Sequence, residues 1–169
     1  MEIRALTRAD LDAFQRLRRE RLELEPRAFS ESLAEHDATP VEAVARRLSA
    51  SSDDQFVMGA FAPGGQLVGM AGLARNMRLK SRHKAVIWGV YVQPTWRNQG
   101  IARGLLTQLI ERARANPGIE KIMLTVSVDQ IAARRLYLSL GFEIYGREKH
   151  ALSIDGSFVD EDQMVLWLR

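Results

Sequence analysis

The sequence predicts a mixed α/β fold built on one sheet of about seven strands. Three observations carry that expectation. Strand-like and helix-like segments follow one another as strand, two helices, three strands, helix, strand, helix, two strands. Residues 85–92 are almost wholly apolar, the pattern of a central strand covered on both faces. That strand then runs through a short loop directly into an amphipathic helix.

Residues 2–6 alternate in polarity and read as the first strand. Thr7, with Asp10 three residues on, forms a variant of the capping box. The helix it opens carries Leu11, Phe14 and Leu17 on one side, ends near Leu24 and is closed by Pro26. Residues 27–38 read as polar and irregular, apart from Phe29 and Leu33. In Thr39-Pro40-Val41-Glu42, threonine sits at the cap, proline at the first helical position and glutamate at the third. Val41, Val44, Ala45 and Leu48 continue at helical spacing.

Residues 55–62 and 66–74 read as strands joined by the turn Pro63-Gly64-Gly65. A basic connection over 75–84 leads to the apolar strand, which Pro94 ends. Ile101, Leu105, Leu106, Leu109, Ile110 and Ala113 form the apolar stripe of a helix that Asn116-Pro117-Gly118 stops. Residues 122–128 form another strand, and a helix from about Gln130 to Leu140 ends at Gly141, a suitable C-terminal cap. Residues 142–152 and 163–168 are the last strands, with Asp155-Gly156 marking the turn region between them. With no repeat, linker or low-complexity segment, residues 1–169 read as a single domain.

Composition narrows the function. Apolar residues make up 46% and charged residues 27% of the chain, as in ordinary globular proteins. There is no cysteine, which excludes a disulfide framework, a thiol nucleophile and a cysteine-ligated metal. No run of about 18 apolar residues could span a membrane. The start of the chain lacks the apolar centre of a secretory signal, so the expected location is cytoplasmic. The net charge is +3, and the arginines are dispersed among acids rather than gathered into a nucleic-acid tail. A modest positive field favours a polyanionic small molecule, or simply serves solubility.

The most informative stretch is Val92-Gln93-Pro94-Thr95-Trp96-Arg97-Asn98-Gln99-Gly100-Ile101-Ala102-Arg103-Gly104. A helix that starts here presents backbone N–H groups without intrahelical partners, at the positive end of its dipole. That is an anion site, and the small Gly100 and Ala102 let a diphosphate approach the backbone. The loop is not a Walker loop, because no Gly-Lys-Ser/Thr follows, and its glycine spacing is not that of the dinucleotide-binding fingerprint.

Arg97-x-x-Gly100-x-Ala102 resembles the acetyl-CoA signature of the GCN5-related N-acetyltransferase (GNAT) superfamily, Gln/Arg-x-x-Gly-x-Gly/Ala. Gln130-Ile131-Ala132-Ala133-Arg134-Arg135-Leu136-Tyr137, followed by Gly141-Phe142, is similar to its second signature, with glutamine where asparagine is usual. The resemblance implies the GNAT fold: a mixed, mostly antiparallel sheet with about four helices on its faces. It implies acetyl-CoA as cosubstrate, no metal, and direct attack by a small-molecule or peptide amine, with no nucleic-acid or membrane partner. It also admits a homodimer, and a non-catalytic acyl-CoA-binding module as the alternative function.

Residue by residue, the resemblance places Val90, Tyr91 and Val92 along the acyl-pantetheine arm, with the Val92 N–H as oxyanion donor. It places Asn98, Gln99, Gly100, Ile101, Ala102 and Arg103 around the pyrophosphate, beside Arg97, and Gln130 near the arm. Tyr137 matches the general acid that protonates the leaving sulfur. The general base is open: residues 85–92 hold no carboxylate, and Thr125 stands where some members carry the base. Glu31, Asp160, Glu161 and a water chain are the candidates. His83 lies nine residues before Val92, roughly 30 Å along an extended strand, and reads as structural. Phe29, Glu31, Asp160 and Glu161 are the expected acceptor-site residues, the last two in the turn region 155–161.

Overall fold

Alternating side chains commit each strand to two faces, and the chain covers both faces with helices. The computed structural model describes residues 1–49 and 52–169. In chain order the elements are β1 (Glu2–Ala5), α1 (Leu11–Leu24), α2 (Leu33–Ala38), α3 (Val41–Ser49), β2 (Gln55–Phe61), β3 (Leu67–Arg75) and β4 (Lys84–Val92). They continue with α4 (Ile101–Ala115), β5 (Lys121–Ser127), α5 (Ile131–Ser139), β6 (Glu143–Ile154) and β7 (Ser157–Trp167). The strands form a seven-stranded sheet in the order β1-β2-β3-β4-β5-β7-β6. Neighbours are antiparallel except β4 and β5, which the α4 crossover makes parallel.

On one face α4 buries Leu105, Leu106 and Leu109 against Phe56, Leu73, Ile122 and Met164. On the other, Phe14 and Leu17 of α1 and Val44 and Leu48 of α3 pack on Val57, Met70 and Tyr91. Each such side chain contributes about 1.5–3 kcal/mol by leaving water. Among the described residues no helix is long and apolar enough to cross a membrane.

Three local expectations are corrected. The stretch 27–38 contains a helix, α2, opened by Ser32: its hydroxyl accepts from the Glu35 N–H, and the Glu35 carboxylate accepts from the Ser32 N–H. One short turn of polar residues carries too little apolar periodicity to announce itself. Thr39 does not cap α3. Its hydroxyl donates to the Glu35 carbonyl and closes α2 instead. The last strand begins at Ser157, not at 163, because Asp155 and Gly156 adopt left-handed backbone and close a two-residue hairpin. Asp160 and Glu161 therefore lie within β7 rather than in a turn.

The pairing of β4 and β5 positions the site. It covers only Lys84–Lys121, Ala85–Ile122 and Val86–Met123. Beyond that point the two strands separate into a wedge. On its other edge β4 stays paired to β3, with a register shift between Met70–Tyr91 and Gly72–Trp88. The extra residue of β4 falls by Gly89, whose φ of 63° suits glycine and marks a bulge.

Candidate active site

The Gln93 N–H bonds the Val68 carbonyl of β3. Alternation along an antiparallel ladder then turns the N–H and C=O of Val92 to the opposite edge, toward β5. Since β5 has already diverged, no strand among the described residues meets them there. The Val92 carbonyl instead accepts from Arg97 Nε at 3.0 Å. The Val92 N–H faces the wedge. This is the edge where the sequence places an oxyanion donor.

The loop after β4 continues the same supply of donors. Trp96 and Arg97 donate their N–H groups to Gln93 and Pro94, and the next backbone N–H with a partner is that of Gly104, bonded to Gly100. Among the described residues, the six consecutive N–H groups of Asn98, Gln99, Gly100, Ile101, Ala102 and Arg103 have none. Asn98 and Gly100 have φ of 61° and 76°, so the chain coils to gather these donors at the N-terminus of α4. Nothing lies within 4 Å of the place a Gly100 Cβ would take, so the approach is open. These observations fit a diphosphate.

The predicted cofactor residues converge by way of a residue that the sequence reading missed. Glu25, at the end of α1, meets Arg97 Nη1 at 3.0 Å and receives a long 3.5 Å contact from Gln130 Nε2. Isolated by Pro26 from any motif, Glu25 gave no signal. The side chain of Tyr91 turns away from the wedge. Its hydroxyl donates to Glu20 at 2.8 Å, and burial, then Glu20, push it well above the ordinary tyrosine range. Only the backbone of Tyr91 is left for a ligand. Arg103 donates to the Ser139 hydroxyl at 2.7 Å, tying α4 to α5.

Tyr137, on α5, is 6% exposed and sets its ring edge-on to Phe142 at 5.9 Å. None of the hydrogen bonds among the described residues engages its hydroxyl. Burial holds the phenol above its ordinary range, so it stays protonated through neutral pH.

Of the four expected acceptor residues, Phe29 and Glu31 meet at Arg21, while Asp160 and Glu161 lie apart on β7. Phe29 lies under the Arg21 guanidinium at 4.4 Å. Glu31 bridges Arg18 at 2.5 Å and Arg21 at 2.6 Å. Arg27 meets Asp129 at 2.9 Å and donates to the Ser157 hydroxyl at 3.0 Å, which brings the segment after α1 against the β6–β7 hairpin. Asp160 and Glu161 are strand neighbours and point to opposite faces. Asp160 accepts the His150 N–H at 2.9 Å, where β6 bulges. Glu161, paired with Ser127, shares the α1 face with Thr125. Burial, with Glu148 beside it, raises the Glu161 carboxyl above the usual range. His83 precedes β4 at the end away from Val92, and its carbonyl accepts from Glu120.

Comparison with known proteins shows the family and the fold. The profile described as "Acetyltransferase (GNAT) family" fits residues 13–142. The chain is 36% identical over 155 residues to the N-alpha-acetyltransferase RimI of Mycobacterium tuberculosis, covering 92% of this chain and 86% of that protein. It is 33% identical over 96 residues to the L-amino acid N-acetyltransferase AaaT of Escherichia coli, a match that spans 57% of this chain and 59% of the relative. The structure of YncA from Salmonella typhimurium, solved with its cofactor acetyl-CoA, superposes with a TM-score of 0.86 at 23% identity, over 100% of this chain and 94% of that one.

Proposed function

The chain belongs to the acetyltransferase (GNAT) family and is an N-acetyltransferase; we propose that the wedge between β4 and β5 takes the acyl-pantetheine arm of acetyl-CoA and that an amine reaches it from the α1 face. The observation that carries this reading is the run of six unpartnered N–H groups at the start of α4, next to the open edge of Val92. Asn98 to Arg103 hold the pyrophosphate through the backbone, Arg97 fixes the loop against β4, and Gln130 borders the arm. Acetyl-CoA supplies the thioester.

The chain's own residues do the rest. The Val92 N–H donates to the carbonyl oxygen as negative charge develops there. The Glu161 carboxylate removes a proton from the attacking amine, directly or through water. Tyr137 gives its phenolic proton to the sulfur as the carbon–sulfur bond breaks and the new carbon–nitrogen bond forms. Free coenzyme A and an N-acetylated amine leave. Among the four acceptor-side residues, Glu161 suits the base: Glu31 is committed to two arginines and Asp160 to a backbone N–H. The acceptor is a small-molecule or peptide amine.

The test is calorimetric titration of the protein with acetyl-CoA, followed by thiol release in the presence of a panel of amines. Saturable binding with amine-dependent release of thiol is expected. A folded protein that binds no acetyl-CoA would overturn the proposal.

A further inference from the structure

On the α1 side of the sheet lies a cavity of about 400 Å³, lined chiefly by Arg18, Arg21, Arg47, Glu31, Glu35 and Trp88. Arg18 and Arg21 are 2% and 4% exposed. Arginine is rarely buried that deeply unless it is fully paired. Here the pairing is incomplete. Glu31 is shared between the two, and the Nε atoms of both have no hydrogen-bond partner among the described residues.

Arg47 stacks on Trp88 at 5.5 Å and has no carboxylate within ion-pair range among the described residues. Glu35 also lines the cavity, held ionised by the N–H and the hydroxyl of Ser32, but it forms no ion pair with an arginine among the described residues. His36 is buried beside the cluster with an unpartnered Nδ1. Burial, then Arg18, push its pKa down, so it adds no further positive charge to the cluster. Three guanidiniums thus face two carboxylates, of which only Glu31 is ion-paired to them, and that one is shared. The excess is felt within the cluster: burial first, with Arg18 and Arg47 adding to it, brings Arg21 down to about 10 against the pull of Glu31.

Arg21 links the cavity to the strand that carries Val92. Arg21 Nη1 lies 3.4 Å from where a Cβ on Gly89 would stand, at the bulge of β4. Val92 is three residues further along, roughly 10 Å of strand. A hydrogen bond to a carboxylate, one or two carbons, and a reacting distance of about 3–3.5 Å together cover that span.

We infer that the arginine cavity is the subsite for a carboxylate on the acceptor, and that the acceptor class is a free amino acid whose amine stands one or two carbons from that carboxylate. This rests on the acetyl-transfer reading above. The bidentate fork of arginine suits a carboxylate, and a ligand carboxylate supplies the charge that Glu31 alone does not. A peptide amine would set a neutral amide in the same place and leave the cluster uncompensated.

The experiment measures thiol release by the full chain with acetyl-CoA and two matched panels, free L-amino acids and their carboxamides. The preferred acid should exceed its amide in kcat/KM by about ten- to a hundredfold, the worth of hydrogen bonds to a charged group. Arg18 and Arg21 are core positions whose loss risks the fold, so the variants are Arg47→Met and Arg47→Lys, at the accessible edge. Arg47→Met should raise KM for the acid about tenfold and narrow the acid-to-amide ratio, and Arg47→Lys should restore part of it. Equal turnover of acids and amides, turnover of amides alone, or no turnover of any free amino acid by a chain that binds acetyl-CoA overturns the carboxylate subsite and leaves the transferase reading standing. Failure to bind acetyl-CoA at all takes down both.

Discussion

Arg97 donates through Nε to the Val92 carbonyl at 3.0 Å and through Nη1 meets Glu25 at 3.0 Å. One side chain thereby joins the phosphate loop to the end of β4 and to the end of α1. Its guanidinium is committed to protein acceptors, so it acts by position. Arg97→Ala should weaken acetyl-CoA binding about tenfold, roughly 1.4 kcal/mol. The dependence of affinity on salt should stay as in the parent, since no phosphate contact is removed. Calorimetry at several ionic strengths checks this. A flattened salt dependence in the variant would instead mean that Arg97 neutralises phosphate directly.

Gly100 stands at φ 76° with open space above it. Gly100→Ala should cost about 1 kcal/mol of stability from backbone strain, with a small loss of affinity. Gly100→Glu adds bulk and negative charge at the anion site and should weaken acetyl-CoA binding about a hundredfold or more, roughly 2.7 kcal/mol. Thermal melts separate the two effects: similar melting temperatures with very different affinities are expected.

Tyr137 offers a hydroxyl that no hydrogen bond among the described residues engages. Tyr137→Phe should therefore melt close to the parent while kcat falls by about 10²-fold or more. Because burial raises the phenol, its loss of a proton cannot limit the rate at neutral pH. Steady-state kinetics between neutral and alkaline pH read both points. An unchanged kcat in the phenylalanine variant would remove Tyr137 from the chemistry.

Glu161 carries a signed dependence on pH. Its folded pKa lies above the ordinary value, mainly through burial. Below the unfolded pKa of about 4.3 both states are protonated and nothing is lost. As pH rises, the unfolded chain ionises first, and stability falls until the folded pKa is passed. Glu161→Gln should therefore melt higher than the parent at neutral pH and converge with it in acid. The same variant should lose about 10²–10⁴-fold in kcat/KM, together with the acidic limb of the pH–rate profile. Retention of that limb would assign the base elsewhere.

Local devices were legible in the sequence. A helix start after an apolar strand leaves free N–H groups whatever surrounds it, so an anion site at the start of α4 could be read from residue order, while the resemblance supplied the span Asn98 to Arg103. The seven strands showed in their patterning, and the Asp155-Gly156 turn in its residue types. What local pattern cannot carry is register and convergence. A shift of one residue reverses the face of every side chain, so only the pairing of β7 with β5 separates Glu161 from Asp160. The outward edge of Val92 exists because β5 leaves β4 after Met123, a property of two strands and not of one. Nothing in the sequence marked Arg18 and Arg21 on α1, which are buried because α3 and the segment after α1 close over them against β4. Sequence determined the free backbone N–H groups of the loop after β4; tertiary packing decided which charges line the cavity on the α1 side, because burial and charge balance arise only where distant segments meet.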